Sequence, residues 1–435
     1  MSEKPRVLIV GAGLAGLACG WYLHQSSVSF QILEASSSIG GRVKTDRIDG
    51  FLLDRGFQVL LTAYPEARKI LDYHALSLNN FYPGAMIRLE NRFHRVADPF
   101  RHPIDAFQNI QSPIGTLADK LRIARLRRRV LAGDLDDLFS RPETKTIDAL
   151  KSDGFSDAMI DTFFRPFLGG VFLDPELQTT SRMLEFVFRM FSVGDSSLPE
   201  DGMGVIPEQI VAKLPLESLR LDAPVKKVAG TTVTLESGEQ MTAGAVVLAT
   251  DGYAASQLLG TASPRSRSVA CIYFAADRPP INDPILLLSG DAKGPVNNLC
   301  IPSLVANSYA PPGAALISAT VLQPEKYDAS RIEEIVTEQL RSWFHSAVNN
   351  WQHLKTYRIR RALPDQSPPS MKGRDHRARS VDGLYICGDH TDTASINGAL
   401  RSGRLTAQAI VRDLMPHLGA EGNTSLHRQD VWATI

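Results

Sequence analysis

The chain has 435 residues, 43% of them hydrophobic, which is enough apolar material for the cores of two or three domains. The 47 lysine and arginine residues balance the 47 aspartate and glutamate residues, so no global field would concentrate a polyanion at the surface. We therefore expect no nucleic-acid partner.

Cysteine usage argues against a metal site or a disulfide framework. Cys19, Cys271, Cys300 and Cys387 lie far apart with no CxxC spacing. We therefore expect no metal and a reducing, cytoplasmic location. The residues before the first apolar run are too few for a signal peptide, and no apolar stretch approaches the length of a membrane span.

The first elements predict a strand–helix–strand unit. Residues 6–10 (RVLIV) are typical of a strand buried in a parallel sheet, residues 11–25 predict a helix, and residues 29–33 (SFQIL) predict a second strand. From about residue 64 to residue 200, amphipathic helical stretches alternate with proline and glycine breaks. This second region has the character of a substrate domain.

Strand patterns return later in the chain. Residues 219–250 predict three strands that rejoin the first unit. Residues 266–361 predict further sheet strands and one helix, ASRIEEIVTEQLRSWF. Residues 383–411 predict a strand, a loop and a long helix that return to the first unit.

A glycine motif lies between the first strand and the first helix. Gly11, Gly13 and Gly16 form GxGxxG, in which the first glycine permits a tight turn, the second admits a pyrophosphate and the third lets the helix pack on the strand. Glu34 ends the second strand, where a carboxylate accepts ribose hydroxyls and disfavours a 2′-phosphate. A glycine-rich turn that binds nothing is the alternative, but strand, helix and acid all stand in the expected places.

A second glycine motif follows directly. Residues 11–25 (GAGLAGLACGWYLHQ), the acidic Glu34, and Gly40, Gly41 and Arg42 with Thr45 together resemble the flavin amine oxidase superfamily, which includes monoamine and polyamine oxidases, protoporphyrinogen oxidases and phytoene desaturases. The resemblance implies bound FAD, with the paired glycines close to the diphosphate and Arg42 as its cation. A solvated loop arginine is the alternative for Arg42.

The resemblance extends along the FAD half of the chain. It implies that the segment LDRGFQVL passes near the flavin ring through Asp54 and Gly56, with Gln58 beside the substrate. It places the backbone of Val225 at the adenine, Ala249 and Thr250 at a strand turn, and Asp389 near the ribityl chain and pyrophosphate. The implied FAD-binding residues are Gly11, Gly13, Ala15, Gly16, Glu34, Gly40, Gly41, Arg42, Gly56, Phe57, Val225, Thr250, Gly388, Asp389, Ile396 and Asn397.

Ile396, Asn397 and Gly398 are implied to open a helix facing the pyrimidine end of the ring. A helix N-terminus there stabilises the negative charge of reduced flavin. Plain turn residues are the alternative for Asp389 and Asn397. No cysteine stands where monoamine oxidases attach their flavin, so we expect non-covalent FAD.

The substrate half matches more loosely, through FFRPFLGGVFLDPELQTTS and EDGMGVIPEQI, which look most like the protoporphyrinogen oxidase and carotenoid desaturase branch. Gly202 and Gly204 do not form a second nucleotide loop, because Pro207 occupies the third glycine position. Many amine oxidases carry a lysine that holds a water against flavin N5. We place that position at Ala270, and its loss argues against amine oxidation.

No catalytic residue is demanded by this chemistry, and Gln58 and His390 are the candidates. His390 is a potential proton shuttle, although a loop hydrogen bond is the favoured interpretation. Cys387 is interpreted as a small buried strand residue rather than a redox thiol.

A basic run shares a predicted helix with leucines. Its cations are Lys120, Arg122, Arg125, Arg127, Arg128 and Arg129, and its leucines are Leu117, Leu121, Leu126 and Leu131. The favoured interpretation is a solvated face paired with Asp134, Asp136 and Asp137. The alternative is peripheral docking on anionic lipid.

We predict an α/β fold in which a cleft between two domains holds the active site. The domains are a discontinuous Rossmann-like FAD-binding domain (1–75, 200–265 and 376–415) and a mixed α+β substrate domain (76–199 and 266–375), followed by a tail (416–435). The expected activity is that of an FAD-dependent oxidoreductase transferring a hydride from a substrate carbon to flavin N5. The favoured substrate is an apolar isoprenoid or tetrapyrrole, with O₂, a quinone or another electron acceptor. The alternatives are an amine oxidase that uses O₂ and releases hydrogen peroxide, and a flavin-dependent isomerase.

Overall fold

The structure is a computed structural model that describes residues 6–102, 113–370 and 383–414. The predicted tail, 416–435, lies outside these residues. The strands, in chain order, are β1 (Val7–Val10), β2 (Phe30–Leu33), β3 (Thr45–Ile48), β4 (Phe51–Asp54), β5 (Leu60–Leu61), β6 (Leu78–Asn80), β7 (Gly84–Leu89), β8 (Arg92–Ala97), β9 (Ser196–Pro199), β10 (Leu219–Arg220), β11 (Val225–Ala229), β12 (Thr232–Leu235), β13 (Gln240–Thr242), β14 (Ala245–Leu248), β15 (Ser266–Ala276), β16 (Leu286–Ser289), β17 (Val296–Cys300), β18 (Ala315–Leu322), β19 (Gln352–Pro364) and β20 (Leu384–Ile386).

The α-helices of the described residues, in chain order, are α1 (Leu14–Gln25), α2 (Pro65–Ile70), α3 (Leu117–Leu131), α4 (Leu135–Ser140), α5 (Thr146–Ser152), α6 (Asp157–Met159), α7 (Arg165–Phe172), α8 (Ser181–Val193), α9 (Val205–Val211), α10 (Gly252–Leu259), α11 (Pro302–Val305), α12 (Ile332–Phe344) and α13 (Ile396–Leu414). A π-helical turn at Ile160–Phe164 joins α6 to α7. None of the helices in the described ranges is both long and apolar enough to cross a membrane.

A five-stranded parallel sheet, in the order β10-β2-β1-β14-β20, carries the glycine motif at its centre. Every residue of β1 and β14 is buried, because a parallel sheet is covered on both faces. Helices α1 and α13 pack together on one face. A Cβ at Gly403 of α13 would lie 2.3 Å from the carbonyl oxygen of Ala15, so this helix pair requires glycine there.

The other face of the parallel sheet packs against a small antiparallel sheet, β11-β12-β13. Leu8, Val246 and Leu248 share an apolar cluster with Val233 and Leu235 of that small sheet. Only β10 and β14 of the strands predicted in residues 219–250 rejoin the parallel sheet. Strands β11 to β13 meet the first unit as antiparallel hairpins that cover its parallel sheet, and the return of the whole region to that unit stays a prediction.

The second large sheet is mixed and has seven strands, in the order β19-β15-β18-β17-β16-β7-β8. One face packs on α12, with Ala270, Ile272 and Phe274 in the shared core. The opposite face, with Cys271 and Tyr273, joins the core that continues into the parallel sheet. The predicted α/β fold class is confirmed, and the predicted helix ASRIEEIVTEQLRSWF corresponds to α12.

The strands of the two large sheets follow the predicted division of the chain. All five strands of the parallel sheet fall within 1–75, 200–265 and 376–415, and all seven of the mixed sheet fall within 76–199 and 266–375. The domain boundaries themselves stay a prediction.

Candidate active site

A cavity of about 940 Å³ lies between the carboxyl ends of the parallel strands and the inner face of the mixed sheet. All of the sequence-predicted FAD residues except Gly16 and Asn397 line it. Its walls combine loops of the glycine motifs with side chains from α7, α8 and the mixed sheet. A site of this size between two layers suits a cofactor and an organic substrate together.

The two glycine motifs form a single cradle. Gly40 N donates to the carbonyl oxygen of Ala12 at 2.9 Å, and Gly13 and Gly40 pair as a parallel bridge. Gly11 has a φ of +108°, and a Cβ there would lie 2.9 Å from the carbonyl oxygen of Ala249. A Cβ at Gly13 would instead have no atom within 4 Å. The cradle is therefore kept open by the missing side chain of Gly13.

Gly13 is also the N-cap of α1, with no side-chain cap and no acidic residue in the first turn. The free N–H groups of such a helix end bind a phosphate. Beside them, the Glu34 carboxylate accepts from Ala12 N at 2.8 Å and from Ser36 N at 3.0 Å. These contacts hold Glu34 directly after β2, at the position where the sequence predicts the ribose site.

Gly16 does not line the cavity. A Cβ there would lie 2.0 Å from the carbonyl oxygen of Gly11 and 3.1 Å from the Ala249 Cβ. The residue acts through packing, since it lets α1 approach the strand turn that carries the cradle.

Arg42 and Asp389, from opposite ends of the chain, form an ion pair. Arg42 Nη2 lies 2.6 Å from Asp389 Oδ1, and Arg42 Nη1 donates to the carbonyl oxygen of Ala362 at 2.8 Å. Burial alone would lower the pKa of Arg42, but the Asp389 carboxylate outweighs it and raises that pKa. The pair clamps the GGR loop onto the segment before α13, and both side chains reach the cavity.

The N-terminus of α13 presents Ile396 to the cavity. Ser395 Oγ accepts from Gly398 N at 3.0 Å, while the N–H groups of Ile396 and Asn397 have no partner among the described residues. The Asn397 side chain does not face the cavity, because its Oδ1 accepts from Glu66 N at 3.0 Å. Any contribution of Asn397 to cofactor binding therefore comes from its backbone.

Asp54 is enclosed in the core and does not line the cavity, unlike its neighbours Gly56 and Phe57. Its Oδ1 accepts from Thr45 Oγ1 at 2.5 Å and from Met203 N at 3.0 Å, and its Oδ2 accepts from Tyr309 at 2.8 Å. Two backbone amides of the EDGMG segment join this network: Met203 N donates to Asp54, and Gly204 N donates to Thr45 Oγ1 at 2.8 Å. Asp54 supports the segment that reaches the cavity.

The two candidate catalytic residues have different positions. Gln58 lines the cavity, and its amide nitrogen donates to the carbonyl oxygen of Arg42 at 2.8 Å. His390 lies behind Gly388 outside the cavity lining, and its Nδ1 is buried with no partner among the described residues. Burial lowers the pKa of His390 despite the adjacent Asp389. A catalytic role for either residue stays a prediction.

The lysine position assigned to Ala270 is wrong, because Ala270 is fully buried on the α12 side of β15. Its neighbour Val269 is the β15 residue that lines the cavity. The only lysine in the lining of the described residues is Lys226, which follows Val225 at the predicted adenine end. The absence of an amine-oxidase lysine stays a prediction.

The cavity lining away from the glycine motifs is apolar. Its members are Leu61, Tyr64, Pro166, Phe167, Val171, Phe172, Leu173, Met183, Val187, Phe191, Val269, Leu286 and Leu288. The carboxylates in the lining of the described part of the chain are Glu34, Asp251 and Asp389, and all belong to FAD segments. We call this apolar half the substrate end.

Sequence analysis missed several lining residues. Asn298 and Thr320 interrupt the substrate end, and the Arg361 guanidinium carbon lies 3.8 Å from the centre of the Tyr253 ring. None of them belongs to a local motif. Strand alternation places Asn298 and Thr320 on one face of their strands, but sequence does not show which face meets the cavity.

Comparisons with known proteins agree with this geometry. The family model described as flavin containing amine oxidoreductase matches residues 14–411. The chain belongs to this family. It is an FAD-dependent oxidoreductase, as the resemblance implied.

Individual relatives are more distant. Coproporphyrinogen III oxidase of Propionibacterium freudenreichii subsp. freudenreichii is 33% identical over 78 residues, which cover 18% of this chain and 15% of that protein. The chain thus matches less than a fifth of that relative's length. A putative protoporphyrinogen oxidase structure from Exiguobacterium sp. 255-15 has a TM-score of 0.73 at 20% identity, covering 95% of this chain and 100% of that one. A wild-type putrescine oxidase structure bound to putrescine has a TM-score of 0.69 at 17% identity, covering 94% and 99%. These structures share the fold.

The residues present fit FAD. The Gly13 cradle and the open end of α1 suit the pyrophosphate, Glu34 suits the ribose, and the N-terminus of α13 suits the pyrimidine. None of the four cysteines lines the cavity, so the lining offers no thiol for covalent attachment.

Proposed function

We propose that this oxidoreductase removes a hydride from a carbon of an apolar substrate, of the isoprenoid or tetrapyrrole kind, rather than from an amine. When bound, FAD supplies the hydride acceptor at N5. The protein orients the substrate, excludes water and provides the α13 helix end for the charge of the reduced cofactor.

The apolar substrate end carries this proposal. A cationic amine requires a carboxylate or an aromatic cage to replace its hydration. The described substrate end holds no carboxylate that could pair with such a cation. Its aromatic side chains include Phe167 and Phe191, whose rings pack against each other with centroids 5.2 Å apart. The same lining suits a large apolar molecule, whose burial is favourable at roughly 25 cal/mol per Å².

Anaerobic reduction of the purified holoenzyme tests the proposal. Protoporphyrinogen IX or phytoene should bleach the oxidised flavin spectrum, whereas putrescine should leave it unchanged. Bleaching by putrescine alone would support an amine oxidase and overturn the proposal. Turnover of a substrate that requires reduced FAD and consumes no acceptor would instead indicate an isomerase.

We also propose that α3 contacts anionic lipid. Leu117 and Leu121 are 64% and 74% exposed, whereas Leu126 is buried. Residues 117, 121, 125 and 128 share one face of the helix, so the exposed leucines lie beside exposed Arg125 and Arg128. Arg129 of the basic run pairs with Asp153 and Glu185, whereas the expected partners of the run were Asp134, Asp136 and Asp137.

Vesicles of phosphatidylserine and phosphatidylcholine should co-sediment the holoenzyme. The double variant Leu117→Ser/Leu121→Ser should weaken that binding about tenfold, because less apolar surface enters the interface. Leu216→Ser is the control, since Leu216 is 94% exposed and lies outside α3, in the 3₁₀ turn Leu216–Ser218. Protein that stays in the supernatant, or equal losses in both variants, would contradict lipid contact through α3.

A further inference from the structure

Two polar side chains face the otherwise apolar substrate end from neighbouring strands. Asn298 of β17 and Thr320 of β18 are paired in register and each is 3% exposed. Both line the cavity, with Leu288 paired to Asn298 on the adjacent strand. Burying polar groups in an apolar wall is unfavourable unless they bind a partner.

The orientation of the Asn298 amide is fixed by its neighbours. Asn297 Nδ2 donates to the carbonyl oxygen of Pro166 at 2.9 Å and to Asn298 Oδ1 at 3.0 Å. Asn298 Nδ2 then donates to Thr320 Oγ1 at 3.2 Å. Since both ends of the Asn298 amide are committed, its oxygen points to Asn297 and its nitrogen to Thr320.

One N–H of Asn298 and the O–H of Thr320 have no acceptor among the described residues. The Asn298 amide has two N–H groups and uses one on Thr320. The Thr320 hydroxyl accepts that bond, and its own proton has no acceptor among the described residues. The pair therefore has two unused donors, one N–H of Asn298 and the O–H of Thr320, while Asn298 Oδ1 and Thr320 Oγ1 each already accept one bond.

The packing of α7 makes room for this amide pair. A Cβ at Gly170 would lie 2.9 Å from Asn297 Nδ2 and 3.1 Å from Asn298 Oδ1. Gly170 also lines the cavity. A side chain there would displace the amides of Asn297 and Asn298. Glycine at this position therefore lets α7 pack against β17 with these hydrogen bonds intact.

We propose that Asn298 and Thr320 bind an oxygen acceptor, such as a carbonyl or carboxylate, on the apolar substrate. This inference rests on the proposed function and specifies its substrate class: an apolar skeleton that bears an oxygen acceptor. An ammonium group carries donors only. Thr320 Oγ1 has a second lone pair that can accept from it, but the unused N–H of Asn298 would face another donor and stay unsatisfied. The pair orients the substrate and takes no part in the hydride transfer.

Calorimetric titration of the oxidised holoenzyme with 2-decanone and decylamine tests the pair. These probes share a similar apolar chain, but the first carries an acceptor and the second a cationic donor. We expect 2-decanone to bind at least about tenfold more tightly, the difference that one hydrogen bond makes. Tighter binding of decylamine, or no binding of 2-decanone, would overturn the inference.

Substitutions assign the effect to these two residues. Asn298→Leu and Thr320→Val should each lower the affinity for 2-decanone about tenfold. Thr320→Ser keeps the hydroxyl and should bind 2-decanone as tightly as the wild type. Asn298→Asp should raise the affinity for decylamine, since it replaces the amide donor with a carboxylate. Thr242→Val, on an exposed strand of the small sheet, is the matched control.

The flavin absorbance of every variant is measured first, so that a loss of FAD is not counted as a loss of the probe. Unchanged affinity for 2-decanone in Asn298→Leu and Thr320→Val would overturn the inference, whatever reduces the flavin. Reduction by putrescine alone would overturn the proposed function separately.

Discussion

Replacing Gly13 with aspartate should give a folded protein whose affinity for FAD is at least about 100-fold lower, the loss expected when one or two charge-assisted hydrogen bonds disappear. The new side chain would extend into the cradle, where a Cβ meets nothing within 4 Å. Its carboxylate would occupy the end of α1 and repel the pyrophosphate. The measurement is FAD affinity by titration of the apoprotein.

The fold should tolerate this change. Gly13 has a φ of −76° and a ψ of 175°, which any residue adopts, and it occupies the N-cap of α1. Aspartate is a favourable N-cap, so the melting temperature of the apoprotein should not fall. Gly13→Ala should lower affinity less, because it adds volume without charge.

Gly230→Asp supplies the charge-matched control. Gly230 lies in the turn between β11 and β12, and a Cβ there also meets nothing within 4 Å. Its φ of +57° strains any side chain, although aspartate adopts this conformation more readily than most residues, so the melting temperature of this variant is measured as well. FAD affinity should be unchanged in this variant. If Gly13→Asp bound FAD as the wild type does, the cradle would not be the pyrophosphate site.

The FAD end could be predicted from sequence because its determinants are local. Gly11, Gly13, Gly16 and Glu34 occur within one strand–helix–strand unit, where spacing along the chain fixes spacing in space. The pairing of Arg42 with Asp389 could not be predicted in the same way. Each residue matched the family's motifs, but 347 positions separate them, and only the fold brings them together.

The substrate end could not be predicted, since its residues come from separate strands of the mixed sheet. Asn298 and Thr320 become neighbours through the β17–β18 pairing. The error at Ala270 has the same origin. Side chains alternate along a strand, so a shift of one residue moves a position from the cavity face to the α12 face.

The surface of α3 shows a further limit of sequence patterns. Leu117, Leu121 and Leu126 were grouped as one apolar set, yet only Leu126 of the three enters the core. Helical period alone predicts that a face exists, whereas the packing against α8 decides which face is buried.

The second large effect is expected at Asp54, whose substitution by asparagine should stabilise the protein increasingly as the pH rises. Burial raises the pKa of Asp54 from 3.8 to about 6, although the hydrogen bonds from Thr45, Met203 N and Tyr309 act in the opposite direction. The unfolded chain ionises this carboxyl at lower pH than the folded one. Stability from the protonated form is therefore fully present below pH 3.8 and is lost as the pH rises through about 6.

Raising the pKa of Asp54 from 3.8 to about 6 corresponds to about 3 kcal/mol of unfolding free energy. Asparagine can accept from Thr45 and Met203 N through its oxygen and donate to Tyr309 through its nitrogen, and it does not titrate. The melting temperature of Asp54→Asn relative to wild type should thus increase between pH 4 and pH 8. Thermal denaturation of the two holoenzymes across this range measures it.

Asp328→Asn is the control for this experiment, because Asp328 is exposed and its hydrogen bonds to Ser330 lower its pKa. Its substitution should give a small difference of opposite sign, since a lowered pKa adds stability at high pH. A difference between Asp54→Asn and wild type that stays constant from pH 4 to pH 8 would contradict the raised pKa. In that case the three donors around Asp54 would offset its burial, and the carboxylate would be ionised in the folded protein throughout this range.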